Sequence, residues 1–505
     1  MFKNKKLDVN VLIISGGLLI AFVIASLIDM AAVTKGVDIL SSFAIKYFGG
    51  YWQLLLLGTF LVAIIMAISS LGNVKLGNLN KPEIGYFKWL AMIMTTLLAG
   101  GGVFWAAAEP MYHFMSSPPS FELENNNAST NEVITAAFAQ SYLHWGFLAW
   151  AILGTLSTIV LMYVHYEKGL PLKPRSLLYP IFGEKIMKKS VLGTFVDAFS
   201  IISVAAGTIG PIGFLGLQAA YGLQALLGIP NTLFVQYSII VGVVLVAILS
   251  AVSGFRKGIQ FLSNLNIGLT LVLMIFIVIL GPGMFILDSY ISSTGVYLQN
   301  FFSISTYRGD ADWLGSWTIF FWGWFLGYGP MMAIFISTIS RGRTIRELIF
   351  TVALIAPFVT AFWFTVVGGT GIFHELLNPG VISDKLYESG MPAAMIAITQ
   401  QLPLSSILGP AFLIVTILFV ITTTDSMSYT ISVAITGMEK PARTLRIFWA
   451  ITMGVVAMIL LSIGEGGIGA LQSFILVTAI PVSLFLLPLL WTAPKIALLM
   501  KNQQK

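Results

Sequence analysis

The amino-acid sequence predicts an all-α membrane protein with about twelve transmembrane helices. Hydrophobic residues make up 57% of the 505 residues and charged residues only 10%, whereas a soluble domain carries about 25% charged residues. The apolar residues are gathered in runs of about 20 or more, the length that crosses a bilayer as a helix. Lysine and arginine are concentrated in alternate loops between these runs, which is typical of a multi-pass protein.

The first predicted span is retained, because it is too long for a signal-peptide core and has no clear cleavage site. Further apolar runs of spanning length follow it along the chain. The predicted spans are residues 11–33, 50–72, 87–115, 133–165, 194–227, 232–252, 258–290, 314–339, 347–375, 404–436, 443–464 and 470–494.

The charges of the loops set the predicted orientation. With the N-terminus in the cytoplasm, only Lys35, Lys46, Arg308 and Lys385 fall on the outer side, and the remaining 23 of the 27 lysines and arginines are cytoplasmic. Cytoplasmic loops of membrane proteins carry this excess of positive charge. The sequence therefore predicts a multi-pass protein of the cell inner or plasma membrane, with both termini cytoplasmic.

Several classes of function lack the residues they need. Cysteine is absent and the four histidines have no close spacing, so that disulfides, thiol chemistry and a zinc site are not expected. No nucleophile–base constellation indicates an enzyme, and no filter repeat indicates a channel. The net charge of +6 is accounted for by the cytoplasmic loops, so no nucleic-acid partner is expected.

Small residues interrupt two of the predicted spans. The third contains Ala99-Gly100-Gly101-Gly102, and the eighth contains Gly323, Gly327, Gly329 and Pro330. Consecutive glycines weaken a helix, and a pair of broken helices at matching positions is the best sequence sign of an inverted-repeat transporter. Both spans are therefore predicted to be unwound, although glycine also serves close helix packing in membranes.

Aromatic rings are concentrated beside these interruptions. The eighth span contains the segment 316–330 (SWTIFFWGWFLGYGP) with Trp324 at its centre, and Tyr112, Trp145 and Trp150 belong to the third and fourth spans. Rings bind a quaternary ammonium group, which has no N–H to donate, at about 0.5–2 kcal/mol each. The set indicates an aromatic cage for such a cation, although a single tryptophan is more often a core or interfacial residue.

Four motifs resemble those of the betaine/choline/carnitine transporter (BCCT) family. The segment 315–324 (GSWTIFFWGW) resembles the family signature, and His144-Trp145-Gly146 with Trp150, Glu109-Pro110 and the segment 339–347 (ISRGRTIRE) are further matches. The resemblance implies a LeuT-like fold with two five-helix inverted repeats, a homotrimer, alternating access and no covalent chemistry.

The implied organisation divides the chain into five parts. They are two leading helices (1–86), the first repeat (87–292), an outer loop or interfacial segment (293–313), the second repeat (314–498) and a short cytoplasmic tail (499–505).

The resemblance also implies substrate residues. Trp145, Trp150 and Trp324 match the tryptophan box of the family, and Tyr112 matches a tyrosine that carnitine/butyrobetaine exchangers place there. Phe325 stands where the signature has a second tryptophan, so that either Trp324 or Phe325 faces the substrate. Other candidate residues are Tyr328 and the backbone of Ala99, Gly100, Gly101 and Gly102.

Energy coupling is predicted from the same resemblance. Sodium-coupled members bind sodium through two adjacent hydroxyls of the tenth span, here Thr422 and Thr423 with Phe419 nearby. Thr208 belongs to a weaker second site. Sodium-independent exchangers use a methionine and an arginine in place of sodium; here the corresponding positions are Met331 or Met332 and the uncharged Gln260.

The sequence therefore predicts a secondary transporter of quaternary-ammonium compounds such as glycine betaine, carnitine or choline. Sodium symport is the expected mechanism, with Na⁺ as the coupling ion and no other cofactor. Two alternatives stay open, namely sodium-independent exchange of carnitine-like betaines and an amino-acid carrier of the same fold.

Overall fold

Helices joined by short turns make up the described part of the protein. The structure is a computed structural model that describes residues 7–98, 101–123, 128–188, 190–253, 255–437, 441–463 and 468–504. Within these ranges the sole β-type contact is an isolated bridge between Lys75 and Thr344.

Most of the helices follow one another with few residues between them, and the longest separations lie between α2 and α3, α4 and α5, and α7 and α8. Those of the first half are α1 (Val9–Ile28), α2 (Met30–Ile68), α3 (Tyr86–Leu98), α4 (Gly102–Met115), α5 (Thr130–Trp145), α6 (Phe147–Gly154), α7 (Leu156–Met162), α8 (Tyr179–Phe182), α9 (Val191–Leu227), α10 (Leu233–Ser253), α11 (Phe255–Leu280) and α12 (Gly283–Ser305). Those of the second half are α13 (Ala311–Ser316), α14 (Thr318–Ile339), α15 (Ile345–Phe350), α16 (Ala356–Leu377), α17 (Ser383–Ser389), α18 (Ala394–Thr399), α19 (Ser405–Thr436), α20 (Arg443–Leu461), α21 (Ile468–Leu486) and α22 (Leu489–Gln503).

The fold class predicted from composition and run length is confirmed. In the described ranges, 10 helical segments are long and apolar enough to cross a bilayer, and a bent pair formed by α11 and α12 raises the number to as many as 11. The third predicted span is interrupted at Gly101, the N-cap of α4, and α4 is 14 residues long and too short to cross a bilayer alone.

The seventh predicted span, residues 258–290, ends earlier than expected. α11 stops at Leu280, and α12 starts at Gly283 after a bend of 104°. Pro282 stands at the bend and has no N–H with which to continue the helical hydrogen-bond ladder. The segment 293–313, predicted as an outer loop or interfacial segment, consists largely of α12 and α13, and the predicted end of the first repeat falls within α12.

α12 is packed on one side and exposed on the other. Its packed side lies against α5 and α16, and the ring of Tyr297 is 5.2 Å from that of Phe147 and 6.2 Å from that of Tyr142. The exposed side is an apolar stripe, formed by Met284, Leu287, Ile291, Leu298 and Phe302.

The glycines of the eighth span serve helix packing, so the prediction of an unwound segment there is wrong. α14 runs without a break through Gly323, Gly327 and Pro330. A Cβ atom on Gly327 would lie only 3.2 Å from Ser203 of α9, a close approach that small residues allow between membrane helices. The chain is interrupted instead at Trp317, between α13 and α14.

Burial divides the spans into a centre and a periphery. In each span we compare the buried share of its apolar 18-residue stretch. This share is 100% in the α5–α7 run and 94% in both α9 and the α13–α14 run, whereas it is 28% in both α1 and α10. The aromatic and hydroxyl residues singled out in the sequence lie on the central helices or on α4 and α19, which pack against them.

Both ends of the described chain lie against loops of one face. Asp8 accepts hydrogen bonds from Lys173 and Arg175, and the Gln504 side chain bonds to the backbone of Lys75. The two loops are joined because Asn78 donates to the carbonyl oxygen of Tyr166 at 3.1 Å. The loops predicted to share a side of the membrane with the termini are thus gathered together.

A buried ion pair joins α19 to α20. Asp425 is fully buried, and its Oδ1 accepts from Nη2 of Arg446 at 2.6 Å. Its other oxygen accepts from the Ser250 hydroxyl of α10. Removal of one partner leaves a buried charge uncompensated, which costs far more than the pair itself contributes.

Replacement of Arg446 by methionine is therefore expected to destabilise the protein by about 3–5 kcal/mol. Thermal unfolding of the purified protein in detergent measures the change. Arg443→Met is the matched control, because Arg443 is exposed on the same helix, and it should unfold near the wild-type temperature. Equal unfolding temperatures for the two variants would contradict the assigned role of the pair.

Candidate functional site

Five aromatic side chains from α5, α14 and α16 pack against one another in a cluster, here called the aromatic box. Its members are Trp145, Phe321, Trp324, Phe325 and Phe364. Trp324 and Phe325 are stacked with 3° between their planes, and Trp145 stands nearly perpendicular to both, with centroids 5.9 and 5.4 Å away. Each of these three side chains is only 4% exposed, so the box is sealed from solvent.

The fourth predicted span is interrupted directly after Trp145 of the box. α5 ends at Trp145 and α6 starts at Phe147, with Gly146 between them at φ −103° and ψ −134°. A Cβ atom on Gly146 would also collide with the carbonyl oxygen of Tyr142. Glycine at this position therefore lets the chain turn immediately after the ring that faces α14.

Trp324 is fixed by α9. Its Nε1–H donates to the carbonyl oxygen of Gly207 at 3.0 Å. The ring of Tyr328, one turn later on α14, lies against Gly207, and the Tyr328 hydroxyl is 3.0 Å from Oγ1 of Thr208. The absence of a side chain on Gly207 allows both rings to reach α9.

The start of α4 lies against the box. Gly101 is the N-cap of α4, and a Cβ atom there would collide with the Trp324 ring and lie 3.3 Å from that of Trp145. The next carbonyl, that of Gly102, accepts from Nε1 of Trp363 at 3.0 Å. Ala99 and Gly100, the other two residues of the predicted break, lie outside the described residues.

A buried polar network holds Trp145. Its Nε1–H donates to Oε2 of Glu109 at 2.9 Å, while Oε1 of Glu109 is 2.6 Å from Nδ1 of His144. Nε2 of His144 lies 2.9 Å from both Thr318 and Gln140. Glu109 is thus part of the site's framework, since it accepts from a ring of the box.

The fold gathers two histidines that the sequence keeps apart. Nε2 of His113 is 3.4 Å from Oε1 of Glu109, and donor atoms of Glu109, His113 and His144 all lie within 4.8 Å of one another. This spacing suits a cation, but the Glu109 oxygens and both His144 nitrogens already have hydrogen-bond partners. His113 follows Glu109 by four residues, a spacing that puts both side chains on one face of a helix. This spacing was the available sequence signal that His113 lies beside Glu109.

Two predicted box residues have other partners in this structure. The ring of Tyr112 is 6.2 Å from Trp317, and Nε1 of Trp150 donates to Oγ1 of Thr360 at 3.1 Å. Trp150 comes five residues after Trp145, beyond the break at Gly146, so it points toward a different face. No ring contact joins Tyr112 or Trp150 to the box within the described ranges.

Phe321 and Phe364 were not singled out in the sequence. Phenylalanine is common in membrane helices, and no spacing distinguishes a phenylalanine of the box from one that faces lipid. Phe321 belongs to the signature segment and lies one turn before Phe325, which was the only available signal for it.

The two predicted sodium hydroxyls differ in their surroundings. Thr422 donates to the carbonyl oxygens of Leu418 and Phe419 in its own helix. Oγ1 of Thr423 is buried and has no hydrogen-bond partner among the described residues. A buried hydroxyl without a partner is costly, and it is available to an additional ligand.

The remaining coupling residues lie on central helices or outside the described part. Met331 and Met332 are each 1% exposed on α14, one turn beyond Tyr328. Thr208 bonds to the carbonyl oxygen of Val204 as well as to Tyr328. The side chain of Gln260 lies outside the described residues.

Comparison with known proteins finds similarity along nearly the whole chain. The model of the betaine/carnitine/choline family transporters (BCCT) matches residues 10–502. Over 504 residues the chain is 52% identical to "Glycine betaine transporter 2" of Vibrio parahaemolyticus, covering 100% of this chain and 93% of the relative. It is also 32% identical to the glycine betaine transporter OpuD of Bacillus subtilis, over 87% of this chain and 84% of OpuD. Identity to the ectoine/hydroxyectoine transporter of Virgibacillus pantothenticus is 31%, over 90% and 89%.

The packing at Gly207 can be tested by adding a single methyl group. Gly207→Ala is expected to destabilise the protein by about 1–3 kcal/mol, because the new Cβ would lie 2.5 Å from the Tyr328 ring and 3.1 Å from Trp324. Thermal unfolding and the tryptophan emission spectrum are the measurements. Gly216→Ala on the same helix is the control, since its Cβ would meet Ile240 at an ordinary 3.5 Å. Identical behaviour of the two variants would speak against the close α9–α14 contact.

Proposed function

Because the chain belongs to the betaine/carnitine/choline transporter family, we propose that it carries quaternary-ammonium compounds across the plasma membrane, with glycine betaine as preferred substrate. It is a transporter and not an enzyme. The observation that carries the proposed substrate class is the sealed aromatic box. The relative with 52% identity is a glycine betaine transporter by name, which favours glycine betaine.

The box suits the trimethylammonium end of such a substrate. This group has a full positive charge but no N–H, so neither a carbonyl nor a carboxylate can hold it by a conventional hydrogen bond. Ring faces attract it at about 0.5–2 kcal/mol each once water is excluded. Trp145 and the stacked pair Trp324 and Phe325 supply two perpendicular walls. In this proposal Tyr112, Trp150 and Tyr328 approach the substrate in other steps of the cycle.

The carboxylate end of the substrate has a separate place in the proposal. The start of α4 adjoins the box at Gly101, and a helix N-terminus offers free backbone N–H groups and a positive dipole end. The interrupted third span thus takes the anionic end and the rings take the cationic end. Because the rings are almost fully buried, substrate can enter only after the helices around the box move apart, as in alternating access.

Sodium symport is the proposed mode of coupling. Thr422, Thr423 and Phe419 lie on α19, which packs against α9, and the unpartnered hydroxyl of Thr423 supplies the hard oxygen ligand that a small cation prefers. Thr208 is a weaker candidate for a second ion. The competing mechanism is sodium-independent exchange, in which Met331 or Met332 takes the place of an ion.

The proposed architecture follows the resemblance of the chain to the family. It consists of two leading helices (1–86), two inverted five-helix repeats in a LeuT-like arrangement (87–292 and 314–498), the segment 293–313 between them and the tail 499–505. The interruption between α3 and α4 is consistent with a discontinuous helix in the first repeat. A homotrimer with both termini in the cytoplasm completes the proposal.

Trp145→Ala and Trp324→Ala are each expected to weaken glycine betaine binding by roughly 3- to 30-fold, the equivalent of about 0.5–2 kcal/mol per ring. Isothermal titration of the purified protein gives the dissociation constants. Trp491→Ala is the control, because Trp491 is 55% exposed on α22, and it should bind like the wild type. Unchanged affinity in both box variants would rule out the aromatic box as the substrate site.

Coupling can be tested with Thr423→Val, which replaces the hydroxyl with a methyl group of similar size. Uptake of labelled glycine betaine into proteoliposomes should require sodium, and the variant should need roughly tenfold more sodium for half-maximal uptake, about the loss of one ion–hydroxyl contact. Thr424→Val is the matched control, since the Thr424 hydroxyl, within the part of the chain that the structure describes, bonds only to the carbonyl oxygen of Val420 in its own helix. Counterflow that persists unchanged in sodium-free buffer would instead favour exchange.

A further inference from the structure

We propose that Glu109 tunes the affinity of the aromatic box for a cation by acting through the Trp145 indole. Glu109 is a positioning residue in this proposal, because its carboxylate contacts a ring of the box and not the substrate. The proposal rests on the proposed function, since it explains how the same box distinguishes a quaternary ammonium group from a neutral group of the same shape.

The proposal places the proton of His144 on Nδ1. The Ser120 hydroxyl donates to Oε1 of Gln140 at 3.0 Å, and the amide Nε2 of Gln140 lies 2.9 Å from Nε2 of His144, to which it donates in this arrangement. Nδ1 of His144 then donates to Oε1 of Glu109 at 2.6 Å. With this tautomer each oxygen of Glu109 accepts from one N–H, that of His144 or of Trp145, and the proposal takes Glu109 to be ionised when a cation occupies the box.

No lysine or arginine pairs with this carboxylate among the described residues. The close basic groups are the rings of His113 and His144, and the proposal takes both rings as neutral. By contrast, the buried Asp197 and Asp425 each pair with an arginine. Glu109 is fully buried, and a buried charge without a counter-ion is unfavourable. A cation in the adjoining box would provide the missing opposite charge.

The Trp145 indole transmits this charge to the box. A carboxylate that accepts from the indole N–H shifts electron density into the ring, which makes the ring face more negative and strengthens its attraction for a cation. A neutral acceptor would satisfy the N–H equally well but would not add this charge. The direct Coulomb attraction acts in the same direction and is weakly screened inside a dry protein.

The decisive comparison uses two ligands of equal shape and different charge. Glycine betaine has a quaternary nitrogen, and 3,3-dimethylbutanoate has a quaternary carbon at the same position with the same carboxylate. The ratio of their dissociation constants isolates the contribution of the positive charge. A merely structural defect at Glu109 would weaken both ligands together and leave this ratio unchanged.

Glu109→Gln keeps the size of the side chain and one acceptor oxygen but removes the charge. We expect it to weaken glycine betaine binding by roughly tenfold while the affinity for 3,3-dimethylbutanoate stays the same or rises. Trp145→Phe retains a ring but removes the N–H, and it should produce a similar change in the ratio. The double variant should show less than the product of the two effects, because both remove the same interaction.

Glu132→Gln is the matched control. Glu132 is exposed at the start of α5 and forms a capping box with Ser129, a role that glutamine also fills. This variant should leave both dissociation constants unchanged. Thermal unfolding of every variant identifies any that is misfolded, and Glu109→Asp is then used in place of Glu109→Gln, with an expected ratio close to that of the wild type.

Three results would overturn the proposal. They are an equal loss of affinity for both ligands in Glu109→Gln, an unchanged affinity for both ligands in that variant, and full additivity with Trp145→Phe. Failure of the wild-type protein to bind glycine betaine would instead refute the proposed function, so the two failures are distinguishable.

Discussion

The close approach of α9 and α14 is the contact on which the central geometry of this protein depends. Gly207 and Gly327 remove the side chains that would hold the two helices apart, and rings and hydroxyls from one helix then reach the backbone of the other. Trp324 gains an acceptor for its indole N–H by this route, which matters inside a membrane because water is not there to provide one. Other rings of the aromatic box pack against this anchored ring.

Trp145 and Trp324 are held by different kinds of acceptor. Trp324 donates to a backbone carbonyl oxygen, whereas Trp145 donates to a side-chain oxygen of the buried Glu109. The phenylalanines of the box have no polar atoms and are held by packing alone. The two tryptophans therefore fix the orientation of the walls, and the phenylalanines fill the space between them.

The predicted all-α membrane class is confirmed, because the length of an apolar run follows directly from the thickness of a bilayer. Trp145 and Trp324 stand in distinctive motifs and could be singled out, and the structure brings their rings to 5.9 Å. The partnership of Glu109 with Trp145 was missed, since residues 36 positions apart have no local signal of contact. Both glycine-rich spans were predicted to be unwound, but only the third is interrupted at its glycines. Consecutive glycines at 100–102 coincide with a helix start at Gly102, whereas Gly323 and Gly327 are spaced by one helical turn and form a packing face.

The bend between α11 and α12 has a mechanical consequence. It sends α12 sideways from the preceding span, with its apolar stripe facing outward and Tyr297 in ring contact with Tyr142 and Phe147, on either side of Trp145. Acyl chains, or a second copy of the protein, that cover this stripe would contact a helix whose other side packs next to the box. A movement of α12 would therefore be passed through these ring contacts to the residues on either side of Trp145.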